Sequence, residues 1–242
     1  MITLTSTRPT DTSSAPTGLE PTLASLPFYG RPLVEYVAAF DLDLAALRRC
    51  ALLDAGSGPS SFAVDAARRD IEVAAVDPLY GCTAEALATH IQLDYARVAV
   101  DACKRLKGTR LSQREALEVD RRAAAQRFLA DYESGFLHNR YIGGALPRLP
   151  FLDRAFDLVL CGHVLFSPYA RFDPSAIVAA CRELVRVSAG EARVAPLGGL
   201  PPEALQSVLA PLRSEGIRHR LAATIAPDGK RIPDGLLILR RS

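Results

Sequence analysis

Two acidic residues and a pair of glycines are the part of this chain whose types and spacing can do chemistry. Asp54 stands two residues ahead of Gly56, in the run Leu53-Asp54-Ala55-Gly56-Ser57-Gly58-Pro59, and Asp77 follows about 20 residues later, before Pro78. Glycine has no Cβ and tolerates positive φ, so a glycine turn lets backbone N–H groups approach a ligand closely. An acid about 20 residues on, at the end of the next strand, can accept hydrogen bonds from both hydroxyls of a ribose. A carboxylate just ahead of the first glycine repels a pyrophosphate but suits an ammonium group, directly or through water. His163 is the candidate base, because an imidazole titrating near pH 6.5 can take a proton from a hydroxyl, an amine or an acidic carbon. A histidine packed beneath the following loop is the competing reading of the same residue.

These residues need a frame to hold them. The apolar run Ala51 to Leu53, the glycine turn and a helix from Phe62, capped by Ser60 or Ser61, read as strand, turn and helix; Ile71 to Val76 then supplies a second buried strand. From Tyr80 to His138 the composition is helical, with breaks expected at Gly108-Thr109 and Ser134-Gly135. Further strands are expected at Arg140 to Ile142, Phe156 to Cys161, Ala192 to Leu197, Arg218 to Ile225 and Leu236 to Arg240. Helices are expected from Pro174, behind Asp173, and over Pro201 to Ser214. The fold class is therefore α/β: a Rossmann-like, doubly wound, mostly parallel sheet with an antiparallel C-terminal edge hairpin. Residues 1–20 read as a disordered tail, residues 21–48 as a helical cap and residues 49–242 as the main domain. The helical insert, 80–138, falls where ligands bind in open α/β sheets, and is expected to form a lid that helps select the substrate.

The blocks Leu53-Asp54-Ala55-Gly56-Ser57-Gly58, Val76-Asp77 and Leu149-Pro150-Phe151…Phe156-Asp157-Leu158-Val159 resemble the class I S-adenosylmethionine-dependent methyltransferases. Tyr29-Gly30-Arg31-Pro32…Glu35-Tyr36, ahead of the glycine turn, is similar to a bacterial branch of that superfamily. The resemblance implies an enzyme using S-adenosyl-L-methionine, with Gly56, Ser57 and Gly58 passing close to the cofactor and Asp54 helping to hold its methionine end. It further implies that Asp77, with Pro78, binds the ribose, that Leu79 lines the adenine, and that residues around Cys161 to His163 face the transferable methyl. Arg31 and Tyr36 could reach the cofactor carboxylate, since a guanidinium matches a carboxylate bidentately; a surface arginine and a core tyrosine are the competing readings. One departure is visible: many relatives carry an Asp after the third strand that holds the adenine amine, and Gly143-Gly144-Ala145 stand there instead. Adenine would then be held by backbone groups and apolar packing. A nicotinamide fingerprint fits less well, since it wants a third glycine or alanine where Ser61 stands and is poorly served by Asp54.

Composition narrows the partners. The 242 residues are 49% hydrophobic and 23% charged, which suits a globular chain, and 29 Lys+Arg against 27 Asp+Glu leave a formal +2, too balanced for a protein that mainly coats nucleic acid. Residues 97 to 127 are locally basic, with nine Lys and Arg against four Asp and Glu; a solvated face is favoured there over an RNA-binding one. Five widely spaced cysteines without a C-x-x-C pair suggest a reduced cytoplasmic setting and no metal site, and Cys161, ending an apolar strand, is a small core residue rather than a nucleophile. No apolar run is long enough to cross a bilayer. The expectation is methyl transfer to a small-molecule acceptor. The rivals are an RNA or protein methyltransferase and a cofactor-binding protein that does not catalyse; oligomeric state is open.

Overall fold

The computed structural model describes residues 26–105, 111–167, 172–197 and 201–241. The expected disordered tail and the break at Gly108-Thr109 lie outside them, as do the side chains of Cys103, Lys104, Arg105, Lys107, Arg110 and Arg114.

The chain opens with helix α1 (Leu33–Phe40) and a short 3-10 turn (Ala46–Arg49), then enters strand β1 (Ala51–Ala55). Asp41 ends α1 in the left-handed region at φ 52°, with its N–H bonded to the Val37 carbonyl. Helix α2 (Phe62–Ala67) and strand β2 (Glu72–Asp77) complete a β-α-β unit, and the long helices α3 (Ala84–Arg105) and α4 (Leu111–Leu137) follow. Strands β3 (Tyr141–Gly143) and β4 (Phe156–Gly162), helix α5 (Pro174–Val187), strand β5 (Ser188–Ala195), helix α6 (Pro202–Ser214) and strands β6 (Ile217–Ile225) and β7 (Arg231–Arg241) finish the chain.

All seven strands join one sheet in the order β3-β2-β1-β4-β5-β7-β6. Strands β3, β2, β1, β4 and β5 pair in parallel, and β7 runs antiparallel between β5 and β6. The C-terminal hairpin is thus present, with β6 as the edge strand and β7 inserted behind it. Succession runs outward from β1 to β3, then returns to lay β4 on the other side of β1, with Leu53 opposite Val159 and Asp54 opposite Leu160. This reversal opens a crevice at the carboxyl ends of β1 and β4, where the glycine turn and His163 both emerge.

Alternate residues of the central strands feed two apolar layers. Leu53, Val159 and Val194 face Ile177, Cys181 and Leu184 of α5, whereas Leu52, Leu158 and Leu160 face Phe40, Phe62 and Phe128. Phe128 of α4, fully buried, packs on the rings of Phe28, Tyr80, Tyr132 and Tyr141 at 5.1 to 6.2 Å, which joins the insert to the sheet through aromatic contacts.

Two expectations need correction. Ser134-Gly135 does not break α4: the Tyr141 ring lies against Gly135 so closely that a Cβ there would clash, so the glycine serves helix-on-strand packing. Strand β5 begins at Ser188 rather than Ala192 because its polar start is carried by pairing: buried Glu191 receives Arg193 Nε at 2.6 Å and Arg240 Nε at 2.8 Å.

Candidate functional site

Strand β1 delivers its chain directly into the glycine turn. Gly56 and Gly58 have φ of 73° and 56°, the left-handed region glycine adopts without penalty. Gly56 is also sterically confined, since a Cβ there would sit 2.5 Å from Val164 Cγ2. The Gly56 amide donates to the Val76 carbonyl at 2.8 Å, so the turn hangs on the end of β2. Ser60 Oγ accepts from the Phe62 amide, the first N–H of α2, at 2.9 Å, while Ser61 stands at the N-cap without a side-chain cap bond and its Oγ donates to Asp65 Oδ2 at 2.6 Å.

Asp77 ends β2 with both carboxylate oxygens engaged: Oδ2 accepts from the Gly58 amide and Oδ1 from the Leu79 amide, each at 3.0 Å. Burial pushes its carboxyl up to about 6, against the opposing pull of the two amides. Asp54 is fully buried, and burial likewise pushes it up to about 6. Its Oδ2 accepts from the Tyr36 hydroxyl at 2.8 Å, and the Tyr36 ring stacks on Phe62 at 4.4 Å. Its Oδ1 has no hydrogen-bond partner among the described residues; nor has Ser57 Oγ, which is near enough to temper the Asp54 shift but lies outside hydrogen-bonding geometry. Buried polar atoms of this kind are costly unless a water or ligand satisfies them.

A cavity of about 320 Å³ opens beside these groups. Its floor comes from Gly56, Ser57, Gly58, Asp77, Pro78 and Leu79, and one wall from Gly162, His163 and Val164. Over it, Leu26, Pro27, Phe28 and Tyr29 meet His90 and Asp94 of α3; α3 belongs to the insert expected as a lid, whereas sequence reasoning missed the N-terminal part of this roof. Asp94 Oδ2 accepts from the Phe28 amide at 2.6 Å, and the Tyr29 and Tyr95 rings lie 4.3 Å apart. His90 and Asp94 stand four apart on a helix, a spacing that puts both on one face and was readable in advance.

The remaining sequence candidates fall in different places. Arg31 lines the cavity, its carbonyl fixed by the Ser61 amide and the Ser60 hydroxyl, both at 3.1 Å, and its buried Nε has no acceptor among the described residues. Tyr36 binds Asp54 and does not line the cavity. Cys161 is fully buried in the core and does not line the cavity, leaving Gly162 and His163 to face it. Burial, reinforced by Arg31 and Arg121, holds His163 well below the usual histidine range, so its imidazole is neutral. The His163 backbone sits at φ 59°, a region sparse for non-glycine residues, and its N–H donates to the Ala195 carbonyl at 2.8 Å. Of Gly143-Gly144-Ala145 only Ala145 lines the cavity; a Cβ on Gly143 would meet the Tyr80 carbonyl at 2.6 Å and one on Gly144 would meet Pro150 and Val76 at 2.9 Å, so these glycines serve close packing.

The sequence matches no family model and no curated protein. Among solved structures the chain is similar to magnesium protoporphyrin IX methyltransferase from Synechocystis with bound S-adenosylmethionine, at 15% identity and a TM-score of 0.45 over 82% of this chain and 74% of that one. It is also similar to a TehB-like S-adenosylmethionine-dependent methyltransferase from Corynebacterium glutamicum, at 15% identity and a TM-score of 0.44 over 87% of this chain and 85% of that one. A third is 1,6-didemethyltoxoflavin-N1-methyltransferase from Burkholderia thailandensis, at 13% identity and a TM-score of 0.40 over 81% of this chain and 74% of that one.

Proposed function

We propose that this chain binds S-adenosyl-L-methionine in the crevice between β1 and β4 and transfers its methyl group to a small-molecule acceptor by in-line displacement. The observation that carries the reading is the Asp77 carboxylate, held by the Gly58 and Leu79 amides at the rim of a cavity floored by the glycine turn. The donor set fits the group. Asp77 is suited to accept from ribose hydroxyls, Pro78, Leu79 and Ala145 offer an apolar surface to a purine, and Arg31 Nε and Ser57 Oγ are polar atoms left unsatisfied among the described residues. Asp54, buried behind the turn, acts on an ammonium through water or through the field it sets up.

When bound, the cofactor supplies a methyl group already activated on a sulfonium, so the protein's own tasks are alignment and exclusion of water. Phe28, Tyr29 and α3 roof the cavity against solvent, and neutral His163 accepts the acceptor's proton. Arg97, Arg121, Arg122 and Arg127 are each paired with an acid, at 2.7 to 3.2 Å, which supports a small acceptor over a nucleic acid. No helix among the described residues is long and apolar enough to cross a membrane; we place the protein in the cytoplasm on Cys50, Cys82, Cys161 and Cys181, which are unpaired among the described residues.

The test is a mass-spectrometric screen of small-molecule acceptors with isotopically labelled S-adenosyl-L-methionine. A labelled product with an equal amount of S-adenosylhomocysteine supports the reading. Tight cofactor binding without any transfer, across hydroxyl, amine and carbon acids, would favour a binding protein.

A further inference from the structure

Arg31, Glu35 and Arg121 place two guanidinium groups around one carboxylate, and of the three only Arg31 lines the cavity. Arg31 and Glu35 are four apart across the start of α1, the spacing at which an ion pair forms by default. It does not form here as a close contact: Arg31 Nε stands 4.0 Å from Glu35 Oε2. Glu35 instead faces α4, where Arg121 Nε and Nη2 donate to its two oxygens at 2.7 and 2.8 Å in the fork geometry that guanidinium and carboxylate share. Arg121 is itself fixed, since its carbonyl accepts from the Tyr95 hydroxyl at 2.6 Å and its guanidinium lies 5.4 Å from the Tyr29 ring centroid. One negative charge thus serves two positive ones, and the surplus cation is Arg31, the member that lines the cavity. Among the described residues its Nη1 has only the Tyr29 carbonyl, at 3.3 Å, and its Nε has no acceptor.

We propose that Arg121 is a positioning residue: by holding Glu35 it keeps the Arg31 guanidinium open as the receptor for a carboxylate on the bound ligand. This rests on the cofactor reading above and adds to it a role for the helical insert, which selects for a carboxylate without touching it. Without Arg121, Glu35 swings back to its helical neighbour and neutralises the receptor.

Two ligands that share a nucleoside thioether test this on the full chain: S-adenosylhomocysteine carries the amino-acid end, and 5′-methylthioadenosine lacks it. Arg31→Met and Arg121→Met should each weaken S-adenosylhomocysteine by about tenfold or more, the scale of a lost charge-assisted hydrogen bond, and leave 5′-methylthioadenosine within about threefold. The double variant Arg121→Met/Glu35→Gln, in which residue 35 can no longer neutralise Arg31, should recover most of the S-adenosylhomocysteine affinity. Equal weakening of both ligands in Arg121→Met, or no recovery in the double variant, would overturn the proposal. If the wild-type chain binds neither ligand, the cofactor reading itself has failed, which is a different result from loss of selectivity.

Discussion

The Gly58 amide donates to Asp77 Oδ2 at 3.0 Å, so the turn after the first strand and the acid at the end of the second form one hydrogen-bonded unit. That carboxyl is held up at about 6 by burial. An acid raised above its unfolded value, near 3.9, binds more protons in the folded state between those two pH values. Its contribution to stability is therefore complete below about pH 4 and is lost as pH rises through 6. Asp77→Asn cannot titrate, so it should be more costly at pH 4.5 than at pH 7, with a difference of about 1–3 kcal/mol in urea unfolding. An equal cost at the two pH values would show that burial does not shift this group.

Gly56→Ala should be severe. The new Cβ would lie 2.5 Å from Val164 Cγ2 and the backbone would have to hold φ 73°. About 2–4 kcal/mol of destabilisation is expected from strain and overpacking together. Adding Val164→Ala should recover the steric part and leave the backbone part. A single variant melting within a degree of wild type would contradict this packing.

The sheet and the glycine turn were legible because their signals are local: apolar runs, a Gly-x-Gly at a strand end and an acid at the next strand end all lie within residues 51–77. The N-terminal part of the roof was not. Phe28 meets Asp94 across 66 positions, and nothing in either neighbourhood specifies the other. Gly135 misled because a helix-breaking propensity was outweighed by the need to admit the Tyr141 ring. Cys161 was placed correctly along its strand, yet one residue too early for the cavity, which starts at Gly162. Alternation along the strand turns its side chain into the layer shared with Cys181.

The insert, expected to form a lid, is also anchored in the core through Phe128. Phe128→Ala should cost about 3–5 kcal/mol by emptying the centre of a five-ring cluster. Chemical denaturation with tyrosine fluorescence reads this directly. A loss below about 1 kcal/mol would show that α4 is only loosely attached.

His163→Asn should lower transfer to a protonated acceptor by about 10²–10⁴-fold and leave cofactor affinity within about threefold. Because its imidazole stays neutral well below pH 6.5, the wild-type rate should not fall as pH drops from 7.5 to 6.5 on account of this residue. A variant with full activity would reduce His163 to a packed histidine on a strained turn.

Calorimetric titration of the full chain with S-adenosyl-L-methionine and S-adenosylhomocysteine, beside the Asp77→Ala variant, tests the central claim most directly. The account predicts one site of about micromolar affinity for both ligands, lost in the variant while its melting transition remains cooperative. Absence of binding to the wild-type chain, or equal binding to the variant, would contradict it.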